Sequence, residues 1–434
     1  MKDVLKLALS CYILVSCNGI NPLQNVTLKA PPYKKYLRSL EQAELDQTVM
    51  ARKWIQAGED ALSDSIIVAL PFSESGYFLA SQPAARSYRF EVRKGQVLTV
   101  NGSLMTKSNS PVFLDLFNWQ ENEWNPLAHG DSTISLTYEF DNDAQCILRM
   151  QPELLVTAYY SISISLTPVL INPVAGATNK SIQSFYGDSR DGGKRKHEGV
   201  DIFAKKGTPV IAPTSGYITR VNTGKLGGKV VWMQDQKRGH SYYFAHLDKQ
   251  LVTAGTAVEI GDTLGTVGNT GNARYTPSHL HFGIYQHRSM DPVHFIQTLE
   301  ANVELTPWDT TIREYDYKVT AKTVSLRAGP DEKNTKVIDL LRDTYVQIIG
   351  QSNAFYRVLL PNKRQGFVLK NKVALIQKGK RLRVKQPVTV LSEASDEAVP
   401  LQSLQASTSV EVLANFEKFK FVRTHGGVVG WLMM

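Results

Sequence analysis

The chain has 434 residues, 49 Lys plus Arg against 40 Asp plus Glu, 42% hydrophobic residues and three cysteines. That length predicts roughly two to four domains, and the ordinary hydrophobic content excludes disordered and collagen-like architectures. No run of 18 apolar residues predicts a membrane-spanning helix, three cysteines cannot staple a disulfide scaffold, and the formal charge of +9 points to a polyanionic partner.

Lys2 and Lys6 precede a short apolar run from Leu7 to Val15, the pattern of a secretory signal. The run ends in Leu14-Val15-Ser16-Cys17, which resembles the lipobox of bacterial lipoproteins. That resemblance implies a signal peptide over 1–16, with Cys17 as the mature N-terminus and the site of lipid attachment. The bland reading is an ordinary secretion signal with a chance cysteine. Cys11 would leave with the signal, so Cys146 has no partner within the chain and reads as a small buried hydrophobe in a strand. Export weakens nucleic acid as the polyanion. Asn18 rather than Asp after Cys17 leans toward an outer membrane by a sorting rule of some Gram-negative bacteria.

Residues 17–35 are polar and carry Pro22, Pro31 and Pro32, a tether between lipid and folded body. Over 36–64 the residues Leu37, Leu40, Leu45, Val49, Trp54 and Ile55 give a helical stripe, expected to pack on the next domain. From 65 to 170 the text changes to strands. Tyr88 to Val92 alternates, Lys94-Gly95 punctuates, and Tyr160 to Leu166 alternates strictly. Short strands between turn signals predict a β-sandwich, and the order of these segments resembles bacterial pre-peptidase C-terminal-type modules. No catalytic constellation occurs there; His129 reads as a loop residue.

The histidines concentrate between Asn179 and His287. Lys196 to Asp201 contains His-x-Gly-x-Asp, and Ser278 to Phe282 contains His-x-His. In an extended strand, side chains two apart share a face. His197 and Asp201 then point the same way with Gly199 leaving space between them, and His279 and His281 share another face. Zinc takes imidazole nitrogen and carboxylate oxygen, and a catalytic site keeps three protein ligands and one open position. By chance the two patterns are expected about 0.03 and roughly 0.2 times in such a chain; together on strand-like flanks they are specific.

From Ser184 to Tyr285 the chain resembles the lysostaphin/LytM-type zinc metallopeptidases, which cut peptide bonds in bacterial peptidoglycan. The resemblance runs through Gly199-Val200-Asp201-Ile202, Gly207-Thr208-Pro209-Val210, Tyr243-Phe244-Ala245-His246-Leu247, Gly268-Asn269-Thr270-Gly271 and His279-Leu280-His281-Phe282. It implies one zinc per domain on His197, Asp201 and His281, and catalytic histidines at His246 and His279, with the division of roles between the two left open. His240, after Lys237-Arg238-Gly239, reads as an exposed turn residue. Glu198 is expected on the opposite strand face from the ligands, and Tyr186 and Arg190, on the loop entering the site, are expected to contact substrate.

The zinc peptidase domain is expected over 176–300. Beyond it, Ser325 to Pro330, Phe355 to Val358 and Gly366 to Val368 repeat faintly as Thr389 to Ser392, Phe421 to Arg423 and Gly430 to Leu432. Both stretches, 315–378 and 380–434, resemble bacterial SH3 domains, which implies two small SH3-like barrels and, in some relatives, wall binding; a structural or autoinhibitory role is the alternative. The fold class is therefore mainly β and multi-domain: N-terminal helix and β-sandwich, antiparallel β peptidase domain, two small barrels.

The function so implied is a lipid-anchored, periplasm-facing zinc endopeptidase of the cell envelope acting on peptidoglycan stem peptides or cross-links, in contact with the membrane and other wall enzymes. The alternative is a non-catalytic or autoinhibited lipoprotein that binds the wall and activates another hydrolase; this chain keeps all five functional positions, which argues against lost activity. The charge divides accordingly. Residues 1–175 hold 14 basic and 17 acidic side chains, and 176–434 hold 35 and 23. Thr344 to Ser392 carries ten Lys or Arg and no Asp or Glu; a solvated face is the ordinary meaning of such a run, and a wall rich in carboxylates is the partner it would suit.

Overall fold

The structure is a computed structural model that describes residues 30–64, 66–106, 110–131, 133–299, 307–309, 312 and 316–434. The expected signal peptide, Cys17 and most of the tether lie outside the described residues. The molecule is mainly β and built from several sheets.

Helix α1 (Pro32–Gln42) starts inside the expected tether, because proline at the first helical position fits the fixed φ and has no N–H to leave unsatisfied. The chain then turns at Glu44, with φ 55°, and α2 (Val49–Asp60) restarts where the Thr48 hydroxyl accepts the Ala51 N–H at 3.3 Å. Two helices therefore replace the single expected one. The break resets the helical phase: Leu40 and Trp54 stay buried, while Leu45 and Val49 are exposed. Tyr33 and Tyr36 take their place, packing with Trp54 against Phe113.

Strands β1 (Phe72–Phe78), β2 (Arg86–Val92), β3 (Gln96–Thr106), β4 (Val112–Gln120), β5 (Glu123–His129), β6 (Ser135–Glu139), β7 (Ala144–Pro152) and β8 (Ala158–Pro168) form two sheets, ordered β1-β8-β3-β6 and β2-β7-β4-β5. Their inward residues, among them Leu98, Leu116, Leu148 and Ile162, make one core. Cys146 is fully buried there and its thiol is pushed up to about 12 by burial, an inert packing residue.

The next unit contains β9 (Ile182–Ser184), β10 (Ser189–Arg190), β11 (Arg195–Lys196), β12 (Val200–Phe203), β13 (Pro209–Ile211), β14 (Gly216–Gly224), β15 (Gly228–Asp235), β16 (His240–Leu247), β17 (Lys249–Gln250), β18 (Ala257–Val258), β19 (Thr263–Thr266), β20 (His279–Gln286) and β21 (Arg288–Met290). Its main sheet runs β18-β14-β15-β16-β20-β12-β9, all antiparallel, with β21 on the flank of β20. Leu170 and Val174 already belong to its core, so the packing unit begins just after β8.

Among the described residues, polar contacts from the sandwich to this unit gather at one end. Lys94 Nζ reaches Gln286 at 3.2 Å, the Arg238 Nη2 reaches Glu139 at 3.1 Å, and Gly95 lies against the Phe295 ring. His240, expected in an exposed turn, is buried here: it opens β16 opposite Asp235 and stands edge-on to Phe295. From this end β16 runs to His246, and β20 returns from His279.

Residues 316–375 and 380–433 form two further groups of short antiparallel strands. Among the described residues their pairings follow open paths, without the closing pair of a barrel. The first group is joined to the sandwich. Its strand Tyr345–Ser352 pairs with β1 through Ser75↔Gln351 and Gly76↔Gly350, so one sheet crosses the junction. Beside that seam the fully buried Arg357 faces Glu74 at 3.5 Å and Asp64 at 3.1 Å, while the Tyr88 and Tyr160 hydroxyls donate to Glu74 at 2.8 and 2.5 Å. The second group docks on the first, Tyr345 packing between Phe421 and Trp431.

Removing one member of a buried ion pair leaves the other uncompensated, which costs about 3–5 kcal/mol. Glu74→Ala is therefore expected to destabilise the junction by that amount, lowering the denaturant midpoint and hydrogen-exchange protection on both β1 and Tyr345–Ser352. An unchanged midpoint would show that the junction does not rest on this cluster.

Candidate metal centre

Ala245, His281, Asp201 and Ser184 stand in one row across β16, β20, β12 and β9, each paired with the next. His197 lies just before β12 and reaches the same point. Its Nε2 is 3.0 Å from Asp201 Oδ1 and 2.8 Å from His281 Nδ1, and the third edge, His281 Nδ1 to Asp201 Oδ1, is 3.1 Å. Among the described residues this is the group of three His, Cys, Asp or Glu side chains placed to hold a metal ion. A tetrahedral ion about 2.0–2.1 Å from each donor requires edges of roughly 3.3 Å, so the triangle fits zinc with an opening of a few tenths of an ångström.

The second atoms of the triad are also fixed. His197 Nδ1 lies 2.8 Å from the Phe185 carbonyl, which can only accept, so that nitrogen carries the proton and Nε2 presents its lone pair. Asp201 Oδ2 accepts from Arg190 Nη2 at 2.9 Å. Burial alone would raise the Asp201 carboxyl, but the imidazoles of His197 and His281 set against it hold it well below the usual carboxylate range. Burial lowers His281 below the usual imidazole value, keeping it neutral.

His246 and His279 stand beside the triad with their rings 5.1 Å apart. Each has Nδ1 on a backbone carbonyl, Thr270 at 2.9 Å and Pro277 at 2.8 Å, so Nδ1 carries a proton in each and Nε2 is the nitrogen left for the cleft. His279 Nε2 is 4.0 Å from Asp201 Oδ1. Burial drives His246 down to about 4, so it is neutral around pH 7. Its backbone is left-handed, with φ 63°, at a bulge where β15 and β16 slip register. The turn is held by its own N–H to the Gly227 carbonyl at 2.7 Å.

The five residues line a cleft of about 550 Å³, walled by Phe203, Tyr243 and Tyr285. Every lining residue falls between 184 and 285, so among the described residues no flanking module enters it. Residues 197–199 run outside β12, so Glu198 does not face away as a strand residue would; it is exposed at the cleft rim. Tyr186 is outside the lining, its hydroxyl held by Ser289 at 2.9 Å, whereas Arg190 lines the cleft and engages Asp201. Ser184 and Asp188, which the motifs did not single out, complete the loop: Ser184 Oγ donates to Asp188 at 3.1 Å, and Asp188 also accepts the Phe185 N–H at 2.8 Å. Nothing local in the sequence marks Ser184, because its place beside Asp201 is created by strand pairing.

Residues 195–292 match Peptidase family M23. An L-Ala–D-Glu endopeptidase of Bacillus subtilis is 36% identical over 122 residues, 26% of this chain and 37% of the relative. The peptidoglycan DD-endopeptidase ShyC of Vibrio cholerae is 34% identical over 88 residues, 20% of each. The catalytic domain of lysostaphin from Staphylococcus simulans is 32% identical, covering 26% of this chain and 89% of that one, with a TM-score of 0.24. The chain thus spans 37% and 20% of those two relatives' lengths, in the region that holds the cleft.

Gly199 sets the width of the site. A Cβ there would lie 2.4 Å from the Phe282 carbonyl and 2.9 Å from the His281 ring. Gly199→Ala is expected to cost about 1–3 kcal/mol by overpacking and, by tilting His281, to remove zinc binding in a calorimetric titration of the folded protein. Wild-type affinity in that variant would show that the spacing is not needed.

Proposed function

We propose that this chain is a zinc-dependent endopeptidase hydrolysing peptide bonds in bacterial peptidoglycan. The observation that carries the reading is the meeting of two imidazole nitrogens and one carboxylate oxygen within 2.8–3.1 Å, next to two further imidazoles with free Nε2 atoms. The M23 match over that same region supports the substrate class.

His197, Asp201 and His281 are the residues that would hold the ion. When bound there, zinc supplies Lewis acidity that lowers the pKa of a coordinated water and polarises a carbonyl. The chain's own groups handle the protons. A neutral imidazole at His246 or His279 takes a proton at Nε2 from the attacking water and can return it to the leaving amine; the other steadies the oxyanion that develops on the substrate carbonyl as an imidazolium, donating from Nε2. The Nδ1 bonds to Thr270 and Pro277 aim Nε2 of both rings and, in the ring that acts as base, keep the tautomer whose Nε2 can accept. Phe203, stacked on His279 at 5.1 Å between ring centres, excludes water from one side.

The lipobox-like run Leu14-Val15-Ser16-Cys17 supports a lipid anchor at Cys17, on the periplasmic side of the envelope and with a lean toward the outer membrane. The two C-terminal groups, fixed to the sandwich and to each other through Arg357, Tyr345, Phe421 and Trp431, serve as a platform that leaves the cleft open.

The test is digestion of purified sacculi by the zinc-loaded chain from residue 18 onward, with released muropeptides read by mass spectrometry to identify the bond. Peptide release is expected, abolished by chelator, and lowered in His281→Ala by about 10³-fold, the equivalent of several kcal/mol of lost charge stabilisation. His246→Ala and His279→Ala are expected to lose about 10²–10⁴-fold. Full release by His281→Ala would sink the metal mechanism.

A further inference from the structure

We infer that Arg190 is a positioning residue for Asp201: its guanidinium holds Oδ2 so that Oδ1 alone faces His197 and His281. The inference rests on the reading of the triad as a metal centre. A carboxylate turns easily about its Cβ–Cγ bond, and either oxygen, or both, can meet an ion. In this chain the two oxygens have separate partners. Oδ1 is 3.0 and 3.1 Å from the two imidazole nitrogens, and Oδ2 is 2.9 Å from Arg190 Nη2.

Arg190 is itself held. The same Nη2 donates to Ser184 Oγ, and Ser184 is the residue directly across from Asp201 in the β9–β12 pairing. The Ser184 hydroxyl donates a hydrogen bond to the Asp188 carboxylate, and the Asp188 backbone carbonyl accepts the His197 N–H at 2.8 Å. The backbone of Arg190 is returned against Arg195 by a turn with Gly192 at φ 67° and Gly193 at φ 93°, conformations that favour glycine. One short loop thus fixes both ligands of the His-x-Gly-x-Asp motif: His197 through the Phe185 carbonyl and Asp201 through Arg190.

The bond is charge-assisted and half-shielded, with Arg190 at 29% and Asp201 at 12% side-chain exposure, conditions under which such a contact orients as well as attracts. Outer partners of metal-ligating side chains typically carry 10–100-fold in metal affinity. A residue that only contacts substrate carries none.

The experiment measures zinc affinity of the folded chain from residue 18 onward by competition with a chromogenic chelator, without substrate, alongside kcat and KM on sacculus peptides at saturating zinc. Arg190→Ala and Arg190→Gln are expected to weaken zinc binding about 10–100-fold, with KM near wild type once zinc saturates. Arg190→Lys, a point charge without the planar fork, is expected to recover only part of the affinity. Ser184→Ala is expected to weaken zinc binding less than Arg190→Ala, since the guanidinium remains. Wild-type zinc affinity in Arg190→Ala and Arg190→Gln would overturn the proposal, and a raised KM alone would make Arg190 a substrate contact. His281→Ala serves as the reference: if that variant also keeps wild-type affinity, the metal centre itself fails, a result distinct from failure at Arg190.

Discussion

The site depends on one row of side chains laid across four neighbouring strands. Adjacent strands lie about 4.8 Å apart, so residues directly opposite one another bring short side chains into hydrogen-bonding range without any loop having to be precise. Ala245, His281, Asp201 and Ser184 occupy that row. The two ends are small, and their size matters. Ala245 stands beside the bulge that carries His246, and Ser184 is short enough for Arg190 to reach past it to Asp201. The donors His281 and Asp201 sit in the rigid middle, where antiparallel pairing on both sides fixes them before any ion arrives.

The sequence exposed the donors but not the row. His-x-Gly-x-Asp and His-x-His reveal which side chains share a face, because that follows from the two-residue period of a strand. The empty position at Gly199 was also legible, and the structure fills the space with the His281 ring. What pairs with what was not legible, since Ala245, His281 and Ser184 are separated by tens of residues and meet only through register. The same limit hid the contact between Arg190 and Asp201, which is made across the β10–β11 turn and depends on the loop's path. His240 was misread for a related reason. The Lys237-Arg238-Gly239 turn was correct, but the sandwich and Phe295 cover the strand start that follows it. The single helical stripe over 36–64 failed locally, where Glu44 adopts a left-handed backbone and splits the helix.

His246 shows how strain is used. A non-glycine residue held at φ 63° costs of order 1–3 kcal/mol, and it persists because its surroundings over-determine it. Its N–H is bound by Gly227 and its ring by Thr270, whose hydroxyl in turn donates to the Leu247 carbonyl at 2.9 Å. Glycines at 228, 268 and 271 let the backbones close in; a Cβ at any of them would fall within 2.2–2.4 Å of another segment. In a regular strand His246 would alternate with Ala245 and face away from the row. The bulge rotates it back, so both Ala245 and His246 line the cleft.

Anchoring follows the same economy of placement. The contacts that tie the sheet to the sandwich, Lys94 to Gln286 and Arg238 to Glu139, are made at the ends of β16 and β20 remote from His246 and His279. A rigid attachment at the far end steadies the strands that carry the histidines and leaves the cleft at the near end lined by this unit's own residues. The charge distribution is shaped by this architecture too. Of the ten cations between Thr344 and Ser392, Arg357 is fully buried against Glu74 and Asp64 and contributes nothing to the outward field. Lys363, Arg364, Lys378, Lys380, Arg381, Arg383 and Lys385 are exposed. A run that looks uniform in sequence is therefore divided in space: one cation joins the first C-terminal group to the sandwich, Lys370 and Lys372 are half-buried, and seven cations stand in solvent.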